Sequence, residues 1–202
     1  MDSPDVAGPV LDVFHRDLVF VHRCLGTFPT IERLLRTGPE PVRSVMDIGC
    51  GAGALLQYLR SRMNVDVVGI DRKPGHSAVI PIIAADAITE PLPQADVAVT
   101  TLMAHHLTPA ENIALIRNVS HSCRRFIIHD LIRHPLPLVL FTVFLCPLIG
   151  HEAAADGRLS IRRAYTPEEL EELVKTAVAG TPATFTTDVS RFLSRQIIDI
   201  RW

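Results

Sequence analysis

The sequence predicts an α/β protein with a doubly wound, mostly parallel sheet and helices on both faces. Short apolar runs alternate with helical patterns from Ser44 onward, and one run ends in a glycine cluster that opens straight into a helix. Aspartates stand at the ends of three successive runs, Asp47, Asp71 and Asp86, where a parallel sheet collects its ligands. The 202 residues suit one domain able to bury a core without disulfide or metal staples. At 48% hydrophobic and 21% charged, the chain is neither disordered nor fibrous. A formal charge of -2 offers no positive field for a phosphate backbone, so no nucleic-acid partner is expected. Only 5% of residues are aromatic while the mean hydropathy is +0.25, so the apolar mass is aliphatic.

Each element has a local reason. Val10, Phe14, Leu18, Val21 and Leu25 recur at helical intervals, and Pro29-Thr30 starts a second helical stretch to Leu35, giving an N-terminal helical cap over 1–40. Thr37-Gly38-Pro39-Glu40-Pro41 breaks the chain before a core over 42–130. Strands are expected at Ser44 to Ile48, Val65 to Ile70, Ala78 to Ala84, Asp96 to Leu102 and Phe126 to His129, with helices at Ala54 to Arg62 and Pro109 to Ser120. Asp130 to Ser160 interrupts this rhythm and reads as the most irregular stretch, with an apolar, proline-punctuated insertion assigned to 131–162. The last part, 163–202, begins with a helix at Thr166-Pro167-Glu168-Glu169, which combines a cap, a first-turn proline and a capping box. Thr184 to Val189 and Gln196 to Trp202 alternate as a pair of antiparallel strands.

Cys24, Cys50, Cys123 and Cys146 form no close pair, so neither a metal site nor a disulfide framework is expected, and a reducing cytoplasm is the simplest home. No basic-then-apolar leader opens the chain. The apolar run Leu136 to Ile149 is interrupted by Pro137 and Pro147 and falls short of the roughly 20 residues a spanning helix needs.

The informative segment is Val45-Met46-Asp47-Ile48-Gly49-Cys50-Gly51-Ala52-Gly53-Ala54-Leu55-Leu56. Glycines at 49, 51 and 53 let the backbone turn tightly and approach a ligand, with helix N–H groups beyond. The alternative is a glycine-assisted turn and nothing more. Asp71 lies 20 residues beyond Gly51, suited to a ribose diol. The same glycines satisfy the GxGxxA form of a dinucleotide fingerprint, which makes an NAD-dependent oxidoreductase the competing class. Asp47 argues against it, because a carboxylate two residues before the first glycine suits a cationic amino-acid group better than a pyrophosphate. Asp86 can reach an adenine amine.

With Asp71, Asp86 and Thr100-Thr101-Leu102-Met103-Ala104-His105-His106-Leu107, this segment resembles the class I S-adenosylmethionine-dependent methyltransferases, within them the small-molecule group similar to quinone-biosynthesis enzymes. The resemblance covers Val42 to His129 specifically and extends loosely to Trp202. It implies a Rossmann-like seven-stranded sheet with an antiparallel last strand. It also implies S-adenosylmethionine as cofactor and S-adenosylhomocysteine as product. Asp47, Gly49, Gly51 and Gly53 would frame the methionine part, Asp71 the ribose, and Asp86 with Ala87 the adenine, with Cys50, Arg72, Thr101 and Leu102 also against the cofactor.

Methyl transfer asks the protein to align an acceptor and, for a hydroxyl, to remove its proton. His105 and His106 after the fourth strand, and His129 at the end of the fifth, are candidate bases, each of which could instead be a structural histidine. Cys50 reads as loop packing rather than a nucleophile. The run Leu136 to Ile149 could be a lid over an apolar acceptor such as a phenol, quinone precursor or polyketide, a surface-seeking membrane segment, or a core helix. O-methylation of a hydrophobic small molecule is the leading expectation. A non-catalytic binding or partner protein with the same fold is a third reading.

Overall fold

The computed structural model describes residues 20–22, 24–74, 79–190 and 194–202. Val10, Phe14 and Leu18 of the expected first cap helix lie outside them. Seven strands form one sheet in the order β3-β2-β1-β4-β5-β7-β6. They are β1 Ser44–Ile48, β2 Asp66–Asp71, β3 Ile82–Ala84, β4 Ala95–Thr101, β5 Cys123–Leu131, β6 Thr184–Val189 and β7 Arg195–Arg201. β1 to β5 run parallel, and β7 enters antiparallel between β5 and β6. The strand order reverses at β1 and β4, so the loops after these strands face a crevice at the carboxyl edge.

Two apolar layers cover the sheet. On one face Val45, Val97, Val99, Ile127 and Ile197 pack with Phe28, Ile31 and Leu35 of α1 (Thr27–Arg36) and Leu55, Leu56 and Leu59 of α2 (Ala54–Arg62). On the other Met46, Ile48, Phe126, Ile128 and Ile198 pack with Leu115 and Ile116 of α3 (Pro109–Ser120) and Leu170 and Val174 of the C-terminal helix Pro167–Val178. Alternate residues of each central strand therefore serve opposite layers, and a continuous aliphatic run is what such a strand requires. Thr108 with Glu111, and Thr166 with Glu169, close reciprocal capping boxes that fix where two helices on this face begin.

Three expectations need correction. β5 starts at Cys123 rather than Phe126, because Arg125 is buried there by a paired carboxylate, Asp199 on β7. The third strand is only Ile82–Ala84, and Asp86 lies beyond it in a turn, where its Oδ1 accepts the Ile88 N–H at 2.9 Å. The stretch read as irregular is mostly helical. It forms α4 (Pro135–Leu140), a π-helical turn Phe141–Leu145, a 3-10 turn Cys146–Leu148 and α5 (His151–Arg163), followed by α6 (Pro167–Val178). Pro137 sits in the first turn of α4 and Pro147 in the 3-10 turn, so each proline shapes a helical boundary instead of excluding a helix. Among the described residues no helix is long and apolar enough to cross a membrane.

Candidate active site

β1 delivers the glycine loop to the carboxyl edge. Gly49, Gly51 and Gly53 have φ of 74°, 54° and 77°, a left-handed backbone that a Cβ would strain. The positions differ in their surroundings. A Cβ on Gly49 would stand 2.8 Å from Met103 Cγ and one on Gly53 would press on Ile80, whereas one on Gly51 would meet nothing within 4 Å. Gly51 thus turns its bare Cα toward open space in the wall of a large cavity. Gly49, Cys50 and Gly51 line that cavity, while Gly53 begins α2 behind it.

The acids sit beside the loop. Asp71 at the end of β2 accepts the Gly51 N–H through Oδ2 and the Lys73 N–H through Oδ1, both at 2.8 Å. Asp47 is 2% exposed and its Oδ1 has no hydrogen-bond partner. Burial, and secondarily the charge of Asp71, push its carboxyl up to about 8. A buried carboxyl with a free oxygen asks for a cation, and an ammonium placed there would satisfy it. Arg72, Asp86, Ala87, Thr101 and Leu102 complete this end of the cavity. Leu102 has φ 53°, the only non-glycine with positive φ among the described residues, and its N–H donates to the His129 carbonyl at 2.9 Å. Cys50 packs its sulfur over Gly69, and burial drives its thiol well above the usual range, which suits packing and not nucleophilic work.

The histidines separate. The imidazole of His105, in the 3-10 turn Ala104–His106 after β4, places Nδ1 2.6 Å from Asp130 Oδ1, and its backbone N–H donates to Asp130 Oδ2 at 2.8 Å. Both side chains are 2% exposed, and His105 Nε2 has no partner. His105 and His106 line the cavity with their ring centroids 4.1 Å apart. Partial desolvation, then the neighbouring His105, lower the His106 pKa below its ordinary value. His129 points elsewhere. It is wholly buried on the α1 side of β5, is not part of the cavity wall, and neither ring nitrogen has a partner. Burial, helped by Arg195, pushes it down to about 4.

Asp130 was not singled out by the sequence, yet the period of two could have found it. In β5 Phe126, Ile128 and Asp130 share a face, and Ile127 and His129 share the other. The same cavity, about 1240 Å³, continues beneath Leu136, Leu140, Phe141 and Phe144 of the insertion and reaches His22 and Phe28. That exceeds the usual range for a single small-molecule site, roughly 300–1,000 Å³, and leaves room for two ligands side by side. Among the described residues no group of three or more His, Cys, Asp or Glu could hold a metal ion.

Residues 46–125 match the family model described as a methyltransferase domain. No curated protein matches the chain. Among solved structures, the plantazolicin methyltransferase BamL, crystallised with a triazolic desmethylplantazolicin analogue and S-adenosylhomocysteine, is similar with a TM-score of 0.69 at 18% identity, over 93% of this chain and 87% of that one. The plantazolicin methyltransferase BpumL with S-adenosylhomocysteine gives 0.68 at 15% identity, over 93% and 89%. An O-methyltransferase family 2 protein from Planctomyces limnophilus, in complex with apigenin, gives 0.65 at 17% identity, over 98% of this chain and 63% of that one. At these identities the structural likenesses speak for the fold. The family match runs from β1 into β5, across the glycine loop and β4, and the chain shares the fold of these methyltransferases.

Proposed function

We propose that the protein transfers a methyl group from S-adenosylmethionine to a hydroxyl oxygen of an apolar small molecule. The observation that carries the oxygen assignment is the buried His105–Asp130 pair, whose free Nε2 belongs to a residue of the cavity wall next to the glycine loop. The bound cofactor supplies a methyl group already activated by a sulfonium, so the chain has only to align the acceptor and take its proton. Asp47 accepts from the cofactor ammonium, the backbone at Gly49 and Gly51 leaves room for the methionine part, and Asp71 accepts from the ribose diol. Asp86, Ala87, Thr101 and Leu102 enclose the adenine end. The Asp130 carboxylate keeps the proton of His105 on Nδ1, which leaves the Nε2 lone pair free to accept a proton from a hydroxyl that reaches it. His106 orients the acceptor from the rim. A nicotinamide dinucleotide fits less well, because its pyrophosphate would meet the buried Asp47.

The whole chain works as one unit in this reading, with 131–162 as the cover over the acceptor. The apolar lining from Leu136, Leu140 and Phe141 favours a phenol, quinol or polyketide-like body over a polar one. Methylation of a panel of alkylphenols and quinols, read by mass spectrometry across pH, tests the assignment. His105→Gln and Asp130→Asn should each lower kcat about 10²-fold or more with S-adenosylhomocysteine affinity intact. A product methylated on carbon or nitrogen, or unchanged kcat in both variants, removes the oxygen assignment.

A further inference from the structure

Six of the nine exposed large apolar side chains among the described residues belong to the cover: Leu136, Val139, Val143, Phe144, Leu148 and Leu159. Val139, Val143, Phe144 and Leu148 are 57%, 56%, 64% and 65% exposed. No charged residue occurs between Leu136 and Ile149. Such a contiguous apolar face is unusual on a free surface and marks a contact. It also surrounds the cavity mouth, since Leu136, Phe144 and Leu159 are exposed and line the cavity, while Val139, Val143 and Leu148 lie outside the lining.

The rim is basic. Residues 131–163 carry Arg133, Arg158, Arg162 and Arg163 against Glu152 and Asp156, in a chain whose formal charge is -2. Arg133 is tied to Glu169, but Arg162 and Arg163 are exposed with no acidic partner among the described residues. An aliphatic face with one phenylalanine and no tyrosine or tryptophan lacks the large aromatic anchors common at protein interfaces. A protein seated on it would also close the cavity mouth. A bilayer demands no shape complementarity and would instead supply the mouth with apolar solutes.

We propose that the cover, α4 with its following π and 3-10 turns and the C-terminal half of α5, docks in the plane of an anionic bilayer, and that the acceptor enters the cavity from the lipid. The apolar side chains enter the acyl boundary while Arg162 and Arg163 meet anionic headgroups. The second half of the proposal rests on the methyl-transfer reading. Docking does not.

Flotation of the full chain with vesicles of phosphatidylcholine alone, and of phosphatidylcholine with phosphatidylglycerol, separates the two. The protein should float with the anionic vesicles, and the triple variant Val139→Gln, Val143→Gln, Leu148→Gln should partition roughly tenfold less or weaker still. Arg162→Gln should lower binding and its salt sensitivity together. S-adenosylhomocysteine affinity, measured by calorimetry, should be the same in all of these variants, which reports on folding and on the cofactor site independently of lipid. Failure of the parent protein to float, or equal flotation with both vesicle types, overturns the docking. So does a concentration-dependent dimer that the triple variant abolishes, because the face would then belong to a second copy. Flotation with methyl transfer to a detergent-dispersed phenol but none to the same phenol dissolved in the vesicles keeps the docking and overturns the entry of acceptor from the bilayer, whereas transfer to neither overturns the methyl-transfer reading.

Discussion

Asp71 Oδ2 and the Gly51 N–H are joined at 2.8 Å, so the acid that ends β2 also holds the left-handed turn of the glycine loop after β1. One carboxylate therefore sets the shape of the loop and stands in the cavity wall. Asp71→Ala should lose on both counts. The unpartnered Gly51 and Lys73 N–H groups should cost about 1–2 kcal/mol of stability, read from urea unfolding. S-adenosylhomocysteine affinity should fall by 10-fold or more, since the charge-assisted bonds to a diol go too. Asp71→Asn, which keeps an acceptor oxygen, should recover most of the stability and little of the affinity. Equal affinity in both variants and the parent would detach Asp71 from the ligand.

Asp47 gives the site a pH signature. Its folded pKa of about 8 stands above the ordinary 3.8, so between these values the folded protein holds a proton that the unfolded chain has released. Stability from this group is fully present below the ordinary value and is lost as pH rises through the window toward about 8. The slope has an upper bound of about 1.4 kcal/mol per pH unit. Asp47→Asn, neutral at every pH, should flatten the decline in denaturation curves taken without ligand. An ammonium bound against Asp47 should expel the proton, so the heat of S-adenosylhomocysteine binding near neutrality should depend on the ionisation enthalpy of the buffer in the parent and not in Asp47→Asn.

The order of elements and the places of Asp47 and Asp71 at the ends of β1 and β2 were legible because both are written in local periodicity. A buried parallel strand needs unbroken aliphatics, and Val45, Val67 and Val97 each begin a core run next to a helix signal. The His105–Asp130 pair was harder to see. Its members are 25 residues apart, and only the side-chain parity of β5 decides that Asp130, and not His129, meets His105. The insertion was hidden for another reason. Pro137, Pro147 and Gly157 are breakers on average, but the first two stand in opening turns and the third is required by a contact with Phe141.

The β5–β7 pairing rests on charge as well as on its ladder. Arg125 Nε and Nη2 donate to the two carboxylate oxygens of Asp199 at 2.8 and 2.9 Å, with 8% of each side chain exposed. Burial alone would raise the Asp199 carboxyl, but hydrogen bonds from Arg125 and Arg201 outweigh it and hold the group below the ordinary carboxylate range. Its contribution is therefore present above the ordinary value and is lost as pH falls through the lowered one. Asp199→Ala strands Arg125 in the interior and should cost about 3–5 kcal/mol in guanidinium unfolding. Replacing both, as Arg125→Met with Asp199→Leu, should recover a large part of that loss. A single-variant cost under about 1 kcal/mol would mean that water reaches the arginine.

Gly157 in α5 bears the tip of the Phe141 ring. A Cβ there would lie 2.2 Å from the ring Cζ, so α5 and the π-helical turn approach as closely as a bare Cα permits. Glycine inside a helix costs roughly 0.5–1 kcal/mol relative to alanine, so the helical propensity of Gly157→Ala favours stability while the contact opposes it. The contact decides the outcome, because Phe141 is 8% exposed and its ring has little freedom to retreat except into the cavity. Gly157→Ala should raise KM for a bulky alkylphenol while leaving S-adenosylhomocysteine affinity unchanged, since Asp47 and Asp71 lie at the other end. Phe141→Leu in the same chain should restore the KM by removing the ring that the new methyl displaces. Steady-state kinetics on the two variants, with a short and a long acceptor, checks this. A KM rise that is the same for both acceptors and persists in the double variant would separate Phe141 from acceptor selection.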